Sequence, residues 1–486
     1  MKQLTLIFGI FLTCSLSAQN TSDALRYSTY FTGSTARVMG AGNAFGALGG
    51  DFSSVGTNPA GLAVYRRGEM VVTPLMYFNN TETTLPDNQA AEESKSKFGF
   101  SNFGFVIANR PIGSKWKTSN IVLGLNRTAN YHRRFQYEGI TEGSITDEFL
   151  EIANGFTPAE LDPFQAGPAF EVGAIFQTDP DNNPTQYGTD FLLREIVNKE
   201  QLVAQEGSTN EIVVSYAANY DEKFMIGATL GVPIVNFVQR KEYREVDNNG
   251  TNPFFNELLF DENITTTGYG INFKLGATAL LTREFRLGLA YHSPSFLSFE
   301  ESFSNEITYD YTINGVNERF VASSADGLNE YGFRTPGRII GSAAYLFGNN
   351  GFLGLDVERV NFGGGNFNYE DGFENEENAV NADVEATFQS VFNIRLGGEF
   401  AFQKLRLRAG YNINGNPYID EAIEATSNAI TGGIGFRGDN FFADLAYQRF
   451  TSKESYTPYL SFDVPATPGL TESSIQRVLL TLGFKF

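Results

Sequence analysis

The chain offers little with which to do covalent chemistry. Its only histidines, His132 and His292, fall in two separate alternating segments. No Ser or Asp is placed about them as a hydrolase needs, so both read as lining or girdle residues. The single cysteine, Cys14, lies in the opening segment, which leaves the rest of the chain without a disulfide, a thiolate zinc site or a cysteine nucleophile. Asp179-Pro180-Asp181-Asn182-Asn183 carries the oxygens of a calcium loop, but Pro184 stands where the tight turn needs glycine, so the run reads as a turn. No catalytic set, metal centre or cofactor site is expected. What remains are charges spaced two apart. Leu405 to Tyr411 puts Arg406 and Arg408 on one face and the apolar residues on the other. The same parity sets Asn393, Arg395 and Glu399 against Phe392, Ile394, Leu396 and Phe400, and Arg286 and His292 against Phe285, Leu287, Leu289 and Tyr291. Such side chains line a path for a solute; they do not react with it.

Period-two alternation is the signature of strands with one apolar face. An Arg turned to lipid at mid-membrane costs about 2–4 kcal/mol, so the charged rows must face an interior and the apolar rows a membrane. Alternating segments are read near 68–79, 97–109, 119–133, 210–220, 223–238, 266–281, 285–299, 336–347, 351–362, 386–401, 403–414, 428–437, 440–451 and 475–486. They make fourteen, an even number. Short links (Asp221-Glu222, Thr282-Arg283-Glu284, Gly348-Asn349-Asn350, Gln403, Gly438-Asp439) alternate with long ones at about 80–96, 134–209, 239–265, 300–335, 363–385, 415–427 and 452–474. The expected fold is all-β: a 14-stranded antiparallel transmembrane β-barrel over 67–486, with tight periplasmic turns and large external loops. Tyr77, Tyr131, Tyr220, Tyr291, Tyr411 and Tyr447, near strand ends, suit its aromatic girdles. The composition fits, with 50 Gly, 45 Phe and 22 Tyr, and no apolar run reaches the ~18 residues of a membrane helix. A net charge of −21 excludes a nucleic-acid binder.

Both termini agree with export to the outer membrane of a Gram-negative bacterium. Met1-Lys2, the apolar run Leu4 to Leu12 and the small-residue exit Cys14 to Gln19 read as a secretory signal over 1–18, cleaved near Ala18. A lipoprotein signal acylating Cys14 is the weaker fit. At the other end Val478, Leu480, Leu482, Phe484 and Phe486 share one face, and Arg477, Thr481, Gly483 and Lys485 the other. Among the external loops, 134–209 carries helical patterns at Ile145 to Ala153 and Asp190 to Val197. The loop 363–386 holds seven carboxylates and no Lys or Arg, and reads as a solvated surface that can also meet lipopolysaccharide through divalent cations.

Residues 19–66 lack strand alternation. Ala36 to Ala47 is a run of small residues, and Asp51-Phe52-Ser53-Ser54-Val55-Gly56-Thr57-Asn58-Pro59-Ala60-Gly61-Leu62 follows. Asn58-Pro59 breaks regular structure, because Pro fixes its own φ and pushes the preceding residue to an extended conformation. A kinked plug placed before the first strand is the natural reading.

This order of pieces resembles the outer-membrane transporters of long-chain fatty acids and aromatic hydrocarbons (the FadL type). Further matches are Thr335-Pro336-Gly337-Arg338, Phe392 to Glu399, and Leu407 to Tyr411 followed by Pro417. The resemblance implies a hatch inside the lumen with Asn58, Pro59, Ala60 and Gly61 as its motif, and hydrophobic ligand leaving sideways through the wall at a kinked third strand. Gly124 is the residue there able to relax the ladder. It also implies that the terminal Phe486 is the signal read by the barrel-assembly machinery, and that the partners are an apolar small molecule and outer-membrane lipid, with the chain a monomer. The alternatives are a receptor, adhesin or porin-like barrel whose long loops bind another cargo such as haem.

Overall fold

The computed structural model describes residues 17–486 apart from 32, 248, 249, 251, 314, 421, 422 and 424. Except for Ser17 and Ala18, the expected leader lies outside the described residues, as does Cys14. Fourteen strands form the wall: β1 (Glu69–Thr84), β2 (Ala91–Asn109), β3 (Trp116–Asn130), β4 (Ile196–Tyr220), β5 (Phe224–Val246), β6 (Phe255–Leu280), β7, β8, β9 (Gly351–Asn361), β10 (Ser390–Phe402), β11 (Leu405–Asn414), β12 (Ser427–Arg437), β13 (Phe441–Tyr456) and β14 (Gly469–Lys485). Neighbours pair antiparallel in chain order, and β1 closes on β14 from Glu69↔Lys485 to Thr84↔Leu470. Closure removes the sheet edge, which a membrane-spanning sheet cannot leave open.

Two strands are broken. The seventh, β7, runs Phe285–His292 and resumes at Phe296–Ile313; the eighth, β8, runs Gly327–Arg334 and resumes at Arg338–Leu346. The breaks hold Pro294 and Pro336, which cannot donate to a ladder. Alternation carried the sequence reading through Pro294, so 285–299 was expected as one strand. Several walls also extend far above the expected ends: β4 starts at Ile196 and β6 at Phe255, well inside segments expected as loops. Asp190 to Val197 is correspondingly not helical, whereas Ile145–Ala153 is a helix, capped by Ser144 in a reciprocal capping box with Asp147. The acidic loop 363–386 is not simply solvated. Its helix Glu374–Thr387 buries Val380 and Val384 against Ala24 and Tyr27 of the N-terminal helix α1 (Ser17–Ser28).

The facing of the wall follows the parity of the sequence. Phe392, Ile394, Leu396, Phe400, Leu287, Leu289, Leu480, Leu482 and Phe484 are exposed on the outside, and Asn393, Arg395 and Arg408 are buried within. Tyr220, Tyr291, Tyr411 and Tyr447 face outward. Tyr77 and Tyr131 do not belong to a girdle: Tyr77 is buried beside Arg477, and Tyr131 packs edge-on to Tyr27 and Phe237. Among the described residues no helix is long and apolar enough to cross a membrane; the barrel crosses with strands.

Candidate functional site

The chain before β1 is folded into the lumen, as a short helix α2 (Ala36–Gly40) and 3-10 turns at Phe52–Gly56 and Pro59–Val64. Small residues let it lie close to the wall, and wall side chains satisfy its backbone. Ala36 N donates to Thr481 Oγ1 (2.7 Å) and Gly42 N to Thr431 Oγ1 (3.1 Å). Phe45 N and Gly46 N donate to Asp356 (3.1 and 3.0 Å). Arg286 donates to Leu48 O (3.0 Å), His292 Nε2 meets Thr57 O (2.8 Å), and Asn120 donates to Leu62 O and Tyr65 O (2.8 and 3.0 Å). These anchors come from five strands spread around the barrel. Backbone groups removed from water need such partners.

Asn58 is the hub. Its Oδ1 accepts Ala60 N (3.1 Å) and so caps the turn that Pro59 opens. Its Nδ2 donates to Gly46 O (2.6 Å), to Ala277 O (3.2 Å) and to Thr278 Oγ1 (3.3 Å) of β6. Pro59 and Ala60 press on the inner faces of Gly227 and Gly276, where a side chain would collide with them. Gly61 O accepts Gly50 N (2.9 Å). The four motif residues are thus brought together at the floor of the lumen.

Two groups of lumenal charges are tied together, beside the buried pair of Lys274 and Glu211 (2.6 Å). Glu358 accepts from Arg338 (3.0 Å), Arg395 (2.9 Å) and Asn393 (2.9 Å). Glu399 lies 2.7 Å from Arg408, 3.6 Å from Arg406 and 3.8 Å from Arg37, and Asp444 accepts from Arg408 (2.7 Å) and Arg437 (2.8 Å). The sequence reading placed Arg395, Glu399, Arg406 and Arg408 in the lumen but missed Asp356, Glu358, Asp444 and Arg437 there. A signal for the first two was present: Leu355-Asp356-Val357-Glu358 alternates like Leu405-Arg406-Leu407-Arg408 and needed only the same parity test.

Above the floor lies a cavity of about 360 Å³, within the size range of small-molecule sites. It is not lined by Phe and Leu alone. Phe31, Phe450, Leu75, Leu479 and Met39 share it with Arg127, Arg338, Arg395, Arg477 and Asn412. Phe31 stands edge-on to Phe450 with centroids 6.1 Å apart, and the Arg477 guanidinium lies 4.0 Å over its ring.

The cavity reaches the wall at Ser101, Arg127, Ala129 and Asn130, and there the ladder stops. β2 and β3 pair from Asn109↔Ser119 only to Asn102↔Asn126. Beyond that, β2 stays paired with β1 and β3 with β4, which leaves a window in the ladder; above it the strand Arg133–Glu142 returns to the β1–β2 hairpin, where Thr81 Oγ1 donates to Arg134 O (2.7 Å). The N-terminal segment backs it from inside: Phe31 N donates to Thr128 O (2.7 Å), Asn102 Nδ2 to Gly33 O (3.1 Å) and Ser101 Oγ to Ser34 O (2.9 Å). Gly124 is not at this break. It is laddered on both sides, to Gly104 and Val213, and its inner face receives the ring of Phe52. At the periplasmic rim Phe486 N donates to Gly68 O (3.0 Å) and its ring stacks on Phe105 at 5.5 Å.

The chain was compared with proteins of known structure. A FadL homologue from Pseudomonas aeruginosa superposes with a TM-score of 0.54 at 14% identity, covering 93% of this chain and 98% of that one. The Pseudomonas putida toluene transporter TodX gives 0.52 at 12% identity, over 94% and 100%. The Ralstonia pickettii toluene transporter TbuX gives 0.50 at 12% identity, over 94% and 99%. The fold is that of the FadL-type channels. No family model and no curated protein matches the sequence. A closed fourteen-stranded barrel with this apolar exterior is an outer-membrane protein.

Proposed function

We propose that this chain is an outer-membrane channel for hydrophobic small molecules such as fatty acids or aromatic hydrocarbons. They enter from outside, occupy the cavity and leave sideways through the β2–β3 window. The supporting observation is the pairing of a blocked floor with an interrupted wall. The segment 19–66 acts as a hatch whose Asn58-Pro59-Ala60-Gly61 motif closes the lumen below, and the cavity meets the wall where the ladder ends. The site therefore favours a lateral exit over a straight pore. Eight pairs between Asn102 and Asn109 at ~3.4 Å per residue, tilted ~40°, lift the window about 18 Å, into the outer part of a ~25 Å apolar band. Cargo released there enters lipid without meeting water again. Apolar surface contributes roughly 25 cal/mol per Å² on leaving water, which favours entry to the cavity and equally favours departure into the bilayer. Phe486, at the closing strand, serves as the assembly signal, and one chain forms the whole channel within lipid and lipopolysaccharide.

The test is uptake of radiolabelled toluene and palmitate by cells with their own copy deleted, with and without the restored gene. Restored uptake of either probe, with resistance to polar antibiotics unchanged, is expected. Equal uptake in both strains sinks the reading.

A further inference from the structure

We propose that Arg127 is the bar across the β2–β3 window, and that Gly99 is the seat into which it closes. This deepens the channel reading above and rests on it. Arg127 stands just past the last β2–β3 pair, Asn102↔Asn126, beside a ladder irregularity between Arg127 and Ala129. Its backbone belongs to β3, yet its guanidinium lies against Gly99 of β2, on the other side of the gap. A Cβ on Gly99 would come within 2.7 Å of Arg127 Nη1. The guanidinium also lines the cavity. It therefore occupies the passage between the cavity and the lipid.

The way it is held suits a moving part. Arg127 Nε donates to Asn210 Oδ1 of β4 at 3.2 Å, and Asn210 is braced by Ser208 Oγ at 3.0 Å. Among the described residues no carboxylate pairs with Arg127, whereas Arg338, Arg395 and Arg408 are each tied to one. A single neutral acceptor is a weaker tether than an ion pair with parallel hydrogen bonds. Arg is also the side chain whose long stem can fold away along apolar surface while its head stays hydrated. The fixed arginines shape the lumen; this one is free to swing. Phe98 and Phe100, exposed on β2 on either side of Gly99 with ring centroids 5.7 Å apart, give an apolar doorstep outside it. Cargo in the cavity touches Phe31, Gly33 and Ser34, the strap behind the window, as well as Arg127. Loading can thus disturb both layers of the closure.

The experiment reads the window without requiring a known cargo. Ala129→Cys in the full chain places a thiol in the cavity wall, and pyrene maleimide dissolved in the bilayer reports whether that thiol is reachable from lipid. The chain's other cysteine, Cys14, lies in the leader expected to be removed. With Arg127 in place, labelling should be slow. Arg127→Ala should speed it about tenfold, the order expected when one hydrogen bond from a charged group holds the closure. Adding Gly99→Leu should slow it again by refilling the seat. Arg127→Gln, closer in shape, serves if the alanine variant does not give a heat-modifiable band. Labelling rates indifferent to residue 127 in the folded variants overturn the bar. Labelling as expected, together with no uptake of toluene or palmitate by the unmodified protein, sinks the channel reading instead.

Discussion

The carboxylate of Asp356 holds the backbone N–H of Gly46 at 3.0 Å, so β9 grips the plug through its main chain. The same carboxylate takes Phe45 N at 3.1 Å. Hydrogen bonds to a charged acceptor contribute about 1.5–3 kcal/mol each, and both are buried. Asp356→Ala should therefore loosen the hatch by a few kcal/mol while leaving the wall ladder whole. The expected phenotype is a folded, heat-modifiable barrel that admits polar antibiotics which the unmodified protein excludes. Unchanged antibiotic resistance would show that Asp356 does not hold the hatch closed.

Glu358 sits between Arg338, Arg395 and Asn393, with all of its partners supplied by strands. Removing one member of a buried pair leaves an uncompensated charge and costs about 3–5 kcal/mol. Glu358→Ala leaves two guanidiniums in that state. Its folded band should melt at clearly lower temperature on gels, and Arg395→Met in the same chain should recover part of the loss. An additive double variant would show that the two residues do not act as a pair.

Much of this was legible in the sequence because a barrel wall is written twice, once as alternation and once as the cost of turning Arg to lipid. Strand number and the inward placement of Arg286, Arg395, Arg406 and Arg408 followed from those two rules alone. Three things did not follow. The break at Pro294 was hidden because apolar alternation continues across it, and the one at Pro336 because the strand was read as starting there, with Gly327–Arg334 left in the loop 300–335. Above the membrane the strands lose their lipid row, so β4 and β6 run into segments whose polar composition reads as loop. The window was invisible for a different reason: where β2 stops pairing with β3 is a matter of pairing between segments, which the alternation within either one does not record. Gly124, chosen for its flexibility, proved to be a seat for Phe52, which is a matter of close approach and not of strain.

The external cap carries a pH dependence of definite sign. Glu148 in the helix Ile145–Ala153 accepts Leu460 N at 3.2 Å, and its neighbour Glu151 accepts Ser461 Oγ at 2.6 Å and Phe462 N at 2.9 Å. Burial pushes the Glu148 carboxyl up to about 8, with the nearby Glu262 carboxylate adding to it. A carboxyl raised on folding stabilises the cap fully below its ordinary value near 4.5, and that contribution is lost as pH rises through about 8. Hydrogen exchange over 457–468 should accelerate between pH 6 and about pH 9 beyond the intrinsic chemical rate. Glu148→Gln should flatten that excess. An excess that survives the substitution would place the titration elsewhere.

Steric fit between hatch and wall separates two glycines that look alike in sequence. Gly397 of β10 faces the lumen, and a side chain there would run into the backbone of Ala41. Gly341 of β8 has nothing within 4 Å of its Cβ position. Both sit in strands, where replacing Gly by a β-branched residue is ordinarily favourable or neutral. Gly341→Val should therefore leave folding and antibiotic resistance as they are or improve the melt slightly. Gly397→Val must displace α2 near Ala41, because the wall backbone cannot yield without breaking its pairs to Gly354 and Gly410. Its expected outcome is a displaced hatch, read as faster protease cleavage within 33–65 and a gain of antibiotic entry. If the two valine variants behave alike, the hatch is not wedged against the wall at this level, and the seal must rest on the side-chain hydrogen bonds alone.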